Sequence, residues 1–327
     1  MNETVQVSVL LITYNPKEAA LRSTLDSIVC QEGVDWEVVI ADDGSQRKDF
    51  SWLPEYFSAH QVQRYQLVEN PENMGTVRNY LSGLKAASGE YIFGISPGDM
   101  IYDNLVLRDF YQFSKQRDIR FCFGNAVHYS VNNGDIHYQE ECIAPKRPDI
   151  YAAGKWWGKF HFFAYDWICG VSYFRKRDAA LLYIEQILEF CKYAEDSPST
   201  AYALAAGERI WYYDRNIAWY EHGTGISTAC NSKWDEILTR EYEASFFNLR
   251  RLYPKNQLIA FSSMIFTEKD LRKLRIERVL KYPLLMAAKM VWRTVFRVDI
   301  PNPKKKLLQV SKDDVLRLEA YLKGKTA

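Results

Sequence analysis

Two short β-branched runs, each closed by polar turn residues, do most to limit what this chain can fold into. Val7, Val9, Leu10, Leu11 and Ile12 end at Thr13-Tyr14-Asn15-Pro16, and Val38, Val39 and Ile40 end at Ala41-Asp42-Asp43-Gly44-Ser45. Residues 18–30 between them have the length of a helix, so the stretch reads as a β-α-β unit. Its polar residues lie at the carboxyl ends of the strands, where open α/β sheets bind ligands. A tyrosine that can stack on a base, with paired aspartates that can accept from base or ribose, suits a nucleotide. No glycine-rich phosphate loop follows the first strand, which argues against a dinucleotide fold or a Walker-type nucleotide-hydrolase fold.

The alternation continues with a strand at 65–69, a helix at 77–87, a strand at 91–95 and a helix at 105–116. This predicts an α/β fold with a mostly parallel sheet flanked by helices. Residues 121–123 and 136–138 are expected to add antiparallel strands. Trp156, Trp157, Phe160, Phe162, Phe163, Tyr165 and Trp167 crowd one segment. Aromatics can fill a core or line a sugar site, and most of these are expected in the core. At 327 residues and 47% hydrophobic content, the chain suits two domains, or one α/β domain with an appendage. A net charge of +1 predicts no nucleic-acid partner. A strand begins near Val5, so no signal peptide is expected. Cys30, Cys122, Cys142, Cys169, Cys191 and Cys230 show no CxxC spacing, which fits reduced, mostly buried thiols in a cytosolic protein.

Further motifs follow in order: Asn70-Pro71-Glu72-Asn73-Met74-Gly75, Arg78-Asn79, Gly89-Glu90-Tyr91-Ile92, Ser96-Pro97-Gly98-Asp99, Glu195-Asp196 and Tyr220-Glu221-His222-Gly223. With Thr13-Tyr14-Asn15 and the Asp42-Asp43-Gly44-Ser45 turn, this colinear set resembles the family-two inverting glycosyltransferases with the GT-A fold, of the bacterial polysaccharide type. The resemblance covers about the first 230 residues. It implies a nucleotide-sugar donor (UDP- or dTDP-sugar), a glycan acceptor and Mn²⁺ or Mg²⁺.

Carried onto these positions, the resemblance implies donor contacts from Thr13, Tyr14, Asn15, Asp42, Asp43, Arg78, Ser96 and Asp99. Asp42 and Asp43 also have a plain reading as turn or helix-cap residues, and Arg78 as a surface ion pair. Many family members carry Asp-x-Asp-Asp where this chain has Ser96-Pro97-Gly98-Asp99, so Asp99 alone remains, with His222, as a candidate metal ligand. A lone carboxylate can hold Mg²⁺ when diphosphate and water complete the shell. Asp196 matches the family's general base, with Glu195 and Trp167 toward the acceptor. Asp196 also reads as the N-cap of a helix at 198–206. Two other function classes compete: a nucleotidyltransferase, which would want a glycine- and lysine-rich start, and a non-catalytic nucleotide-sugar-binding or scaffold protein with a degenerate metal motif.

The C-terminal part differs in character. Between Lys269 and Lys306 stand twelve basic and three acidic residues, a net of +9. Lys289, Arg293 and Arg297 recur every four residues and would share one helix face. No uncharged stretch approaches the roughly 20 residues of a membrane span. The sequence divides into a catalytic domain at 1–230 and a C-terminal helical region at 231–327. The latter reads as a basic amphipathic hairpin broken at Pro283, lying on an anionic membrane surface, with helices packed back on the catalytic domain as the alternative. The expected location is cytoplasmic, peripheral at the inner face of the plasma membrane, with a lipid-linked acceptor in capsule or O-antigen biosynthesis.

Overall fold

The computed structural model describes residues 5–154, 156–223, 232–297 and 307–324. Cys230, Asp299 and Lys304 to Lys306, all counted above, lie outside them. The chain runs β1 (Val7–Thr13), α1 (Glu18–Val29), β2 (Trp36–Asp42), α2 (Leu53–Ala59), β3 (Tyr65–Glu69), α3 (Thr76–Ala86), β4 (Tyr91–Ile95), β5 (Met100–Ile101), α4 (Val106–Lys115), β6 (Phe121–Asn132) and β7 (Asp135–Tyr138). It continues through α5 (Trp157–Ala164), β8 (Tyr173–Lys176), α6 (Arg177–Glu185), α7 (Asp196–Ala206) and β9 (Ile210–Glu221). The helices α8 (Ser232–Leu252), α9 (Gln257–Thr267), α10 (Leu271–Lys281), α11 (Pro283–Phe296) and α12 (Lys312–Leu322) complete it.

One sheet carries the strands in the order β3-β2-β1-β4-β8-β6-β9-β5, with β7 paired to β6. The first four are parallel, and the register sets Thr13 beside Asp42 and Leu11 beside Ile95. Three carboxyl ends therefore open on one edge. Because side chains alternate along a strand, Val9, Leu11, Val38 and Ile40 pack with α1 and α2 on one face, while Leu10, Val39 and Ala41 pack with α3 on the other. Gly83 lets α3 approach the sheet, since a Cβ there would collide with Leu10.

The added strands differ in part from expectation. β6 is antiparallel to β7 and β8 but parallel to β9, with a register shift near Asn125. The antiparallel strands expected at 121–123 and 136–138 are present as β6 and β7, and the parallel β6–β9 pair is additional, made when the chain through α5 to α7 brings β9 back in the same direction as β6. The aromatic segment also divides. Phe160, Phe162 and Phe163 are buried, whereas Trp156, Trp157 and Trp167 are exposed.

The C-terminal region is no detached appendage. Leu308 N–H donates to the Glu140 carbonyl (2.8 Å), and α12 lays Leu318 and Tyr321 into the core beside α1, with the Tyr321 hydroxyl 3.1 Å from Cys30 Sγ. Trp292 of α11 donates Nε1–H to Nδ1 of buried His161 (3.3 Å). Lys289 does not share a solvent face with Arg293. Its ammonium donates to the Ala164 carbonyl (2.6 Å), and Arg297 caps the helix end with φ +50° rather than extending it. A boundary at 230 therefore separates segments that share one core. Leu318→Ala is expected to cost about 2–5 kcal/mol, the usual range for a fully buried leucine, in denaturant unfolding; a cost below ~1 kcal/mol would mean α12 is only loosely attached.

Candidate active site

The strand ends are closed by side chains. The buried Asp42 accepts from Ser45 N–H (2.9 Å), Ser45 Oγ (2.5 Å) and Lys48 Nζ (3.0 Å). Asp43 accepts from Met74 N–H (2.8 Å) and Gly75 N–H (2.9 Å), pinning the loop that enters α3. A carboxylate there also opposes the positive end of that helix. Asn15 ties the first turn to the second, its Oδ1 accepting from Gln46 and Arg47 N–H (3.0 and 2.9 Å). Asn79 reaches up from α3 and donates to the Ala41 carbonyl (2.8 Å) and, at 3.3 Å, to that of Thr13. The Ser96–Asp99 turn is held to α1 by Thr24, whose hydroxyl donates to the Asp99 carbonyl (2.7 Å) and accepts from Gly98 N–H (3.0 Å).

A cavity of about 870 Å³ opens at this edge. Thr13, Tyr14, Asp43, Ser96 and Asp99 line it, as do Trp167, Glu195 and Asp196. The Thr13 hydroxyl is buried without a partner among the described residues, leaving a hydrogen bond for a ligand. Asn15, Asp42 and His222 do not line the cavity; the first two do turn-closing work, and His222 is exposed, its N–H bonded to the Tyr129 carbonyl (2.8 Å). Arg78 is exposed and belongs to a separate, more open pocket of about 550 Å³ with Glu72, Glu189 and Lys192.

Glu241 of α8 places the acid pair by accepting from Tyr193 and Ala194 N–H (3.0 and 2.8 Å). Glu195, not Asp196, occupies the N-cap of α7, and it makes no side-chain cap bond. Asp196 is the first helical residue, with Oδ1 accepting from Ser197 N–H (2.5 Å). Both carboxylates face Gly170: a Cβ built there would stand 3.1 Å from Asp196 Oδ2 and 3.4 Å from Glu195 Oε1. Only a glycine leaves that approach clear.

Two cavity residues were not singled out from the sequence. Arg175 of β8 is 3% exposed, stacks over Tyr173 (4.2 Å) and, among the described residues, keeps Nε without a partner. Its signal was faint, an arginine in an otherwise apolar edge of a strand. Glu221 sat inside the quoted Tyr220-Glu221-His222-Gly223 motif, but the histidine drew the attention. Its N–H donates to Asp99 Oδ1 (2.9 Å). Its carboxylate lies against Gly98, whose φ of +101° and missing side chain make the approach possible.

The profile of glycosyl transferase family 2 matches residues 8–181, more than half of the chain. This chain belongs to glycosyl transferase family 2. An uncharacterised glycosyltransferase of Methanocaldococcus jannaschii is 26% identical over 131 residues, 40% of this chain and 44% of that protein. The chain spans less than half the length of the curated relatives it matches. Among solved structures, the mannosyltransferase PcManGT of Pyrobaculum calidifontis, in complex with GDP-Man and Mn²⁺, superposes with a TM-score of 0.56. It is 15% identical, covering 99% of this chain and 86% of the other. S. aureus TarS 1-349 in complex with UDP-GlcNAc gives a TM-score of 0.52 at 16% identity, covering 98% and 93%. The fold is therefore that of the GT-A glycosyltransferases.

In this family member, electrostatics at the cavity wall follow from burial. Burial lifts Asp99 well above the usual carboxylate range; the Glu221 N–H works against the lift, and the Glu221 charge adds to it. The Glu221 charge acts on Asp99, and a divalent cation would relieve that repulsion between hard oxygen donors. The donor set therefore fits Mn²⁺ or Mg²⁺ with the rest of the shell supplied from outside. Among the described residues there is no group of three or more His, Cys, Asp or Glu side chains poised around one point.

Burial, then the charge of Asp196, pushes Glu195 up to about 7, against the opposing pull of Arg175. Burial also raises Asp196, opposed by the Ser197 N–H and Arg175. Between its ordinary value of 4.5 and about 7, the folded chain keeps a proton on Glu195 that the unfolded chain has lost. Stability contributed by this group thus falls as pH rises through that window. Glu195→Gln is expected to raise the melting temperature relative to the parent more at pH 8 than at pH 5. An equal shift at both pH values would place the Glu195 carboxyl in an unperturbed setting.

Proposed function

We propose that this chain is an inverting glycosyltransferase that moves a sugar from a nucleotide-diphosphate donor to a glycan acceptor. The carrying observation is that one cavity contains both the strand-end group Thr13, Tyr14, Asp43, Ser96 and Asp99 and the acid pair Glu195–Asp196. Family membership and the nucleotide sugars in the two complexes of similar fold support a nucleotide-sugar donor, taken here as a UDP- or dTDP-sugar.

In this reading Tyr14 stacks on the base, Asp43 accepts from the base imide or a ribose hydroxyl, and Thr13 and Ser96 donate to the donor's oxygens. Asp99 and Glu221 would hold Mn²⁺ or Mg²⁺ beside the diphosphate, and the bound ion supplies positive charge at the leaving group. Asp196 takes the proton of the acceptor hydroxyl as its oxygen attacks the anomeric carbon from the face opposite the diphosphate. The new glycosidic C–O bond forms as the bond to the diphosphate breaks, with inversion. Arg175 favours the ionised form of Asp196 by opposing the effect of burial. Trp167 and Glu195 face the acceptor.

The acceptor is proposed to be lipid-linked, in capsule or O-antigen biosynthesis, and the protein to work at an anionic membrane surface. No described helix is long and apolar enough to cross a membrane. Yet α10 and α11 expose Leu271, Ile276, Leu280, Leu284, Val291 and Val295, with Leu280 and Leu284 75% and 85% exposed. Exposed Lys273, Arg275, Lys281 and Arg293 stand among them. Apolar side chains beside cations are the composition of a helix lying in a lipid interface.

Asp196→Asn is expected to retain UDP binding while lowering turnover about 10²- to 10⁴-fold, the scale of general-base catalysis. Nucleotide-sugar consumption with and without added Mn²⁺ reads this out, and turnover near the parent's would remove Asp196 as base. For the membrane, a Leu280→Glu/Leu284→Glu variant is expected to lose sedimentation with phosphatidylglycerol vesicles by tenfold or more, because each leucine contributes about 1.5–3 kcal/mol on burial. High salt should weaken the parent's binding. Indifference of the parent to such vesicles at low salt would end the peripheral-membrane reading.

A further inference from the structure

The helical wall of the cavity carries two cations, Arg278 of α10 and Lys289 of α11, that the transfer chemistry above does not use. Neutral groups meet both. Arg278 donates from Nε and Nη2 to the Phe261 carbonyl (3.2 and 3.0 Å) and from Nη2 to that of Ser262 (3.4 Å), with its guanidinium carbon 4.5 Å from the Phe261 ring centre. Lys289 donates to the Ala164 carbonyl (2.6 Å) and stands 4.6 Å over the Tyr165 ring. Among the described residues no carboxylate pairs with Arg278, and its Nη1 edge has no protein partner. Burial alone lowers its pKa, with no acidic neighbour pulling the other way.

A guanidinium drawn half out of water without a counter-ion costs free energy that an incoming anion would offset. The carbonyl bonds also fix the plane of the fork, so the unused edge is oriented before a ligand arrives. Around it the wall is apolar, with Ile265, Phe266 and Phe246. Past it, the same two helices turn their exposed leucines and valines outward. A phosphate next to a hydrocarbon chain matches that sequence of surfaces: anion seat, apolar wall, apolar exterior.

We propose that Arg278 and Lys289 form the seat for the phosphate group of an amphiphilic acceptor, fixing how far its sugar end reaches toward Asp196. The proposal rests on the reading of the cavity as a site of sugar transfer and adds the chemical class of the acceptor. The donor's diphosphate is assigned instead to the strand-end side, with Asp99 and Glu221.

The test uses the full chain, with decyl phosphate below its micellar concentration as the anionic probe and decanol as the uncharged one. Calorimetric titration of the parent should show decyl phosphate binding at least tenfold more tightly than decanol. Arg278→Gln and Lys289→Gln should each weaken decyl phosphate about tenfold or more, the scale of one charge-assisted contact, while decanol and UDP affinities stay within twofold. Arg278→Lys should fall between. Equal affinity of the parent for the two probes, or unchanged decyl phosphate affinity in both glutamine variants, would overturn the seat. So would a matching loss of UDP affinity, which would hand the cations to the donor diphosphate. An equal loss of binding to phosphatidylglycerol vesicles would likewise overturn it, by assigning Arg278 to lipid headgroups at the surface. Absence of UDP binding in the parent, with Arg278-dependent decyl phosphate binding intact, supports the seat and removes the donor reading.

Discussion

The hydrogen bonds that close the strand ends are the constraint on which the rest of this structure depends. Asp43 takes two backbone N–H groups from the loop before α3, and Asn79 from that same helix gives its amide to carbonyls of β1 and β2. The loop and helix are thus bound to the strand ends from both directions. Each bond to an ionised group contributes about 1.5–3 kcal/mol, and losing either partner would leave buried polar groups unmatched. With this edge fixed, the cavity has a rigid floor. Tyr14 and the partnerless Thr13 hydroxyl are presented on it rather than on a mobile loop, which is what precise positioning of a nucleotide requires.

Charge is distributed over the cavity in a way that follows from what each wall can solvate. The strand-end wall gathers Asp43, Asp99 and Glu221, and the mouth of α7 adds Glu195 and Asp196. Buried carboxylates resist ionisation, so the pair at α7 is raised by burial, while Arg175 beneath it works in the opposite sense. Both carboxyls are thereby lifted above their ordinary range, Glu195 to about 7. On the helical wall the charges are positive and lean on carbonyls and ring faces. A donor and an acceptor that are both anionic can then occupy one cavity without facing the same groups.

The C-terminal helices serve both core and surface. Trp292 locks onto His161, and α11 is joined to the end of α5 in both directions, Lys289 Nζ donating to the Ala164 carbonyl and the Tyr165 hydroxyl to the Lys289 carbonyl. These contacts fasten α11 to α5 and so set one wall of the cavity. The remaining faces of α10 and α11 have no such partner and keep their leucines and valines outside. Only a chain that returns, through Leu308 and α12, to pack against α1 can hold such a hairpin in place by both ends.

The periodicity of apolar residues determined most of the first half of the fold by itself: β1 to β4, α1 and α3 begin and end within a residue or two of where the pattern places them, while the short α2 was not read from it. Local alternation is enough there because each of these strands is a short run whose own pattern of apolar residues marks it off from the helices on either side. The motif order likewise named Tyr14, Asp43, Asp99 and Asp196 as site residues, and the structure brings all four to one cavity. What only the tertiary structure decided are contacts between distant segments. The parallel pairing of β6 with β9, the burial of α12 and the opposition of Glu221 to Asp99 each join residues many tens of positions apart, and Arg175 meets Asp196 across the intervening helix α6. Lys289 shows the reason most plainly. Its spacing with Arg293 placed it on a solvated face, because helical periodicity states which residues share a side and not what that side meets; the Ala164 carbonyl and Tyr165 ring waiting across the fold turned it inward.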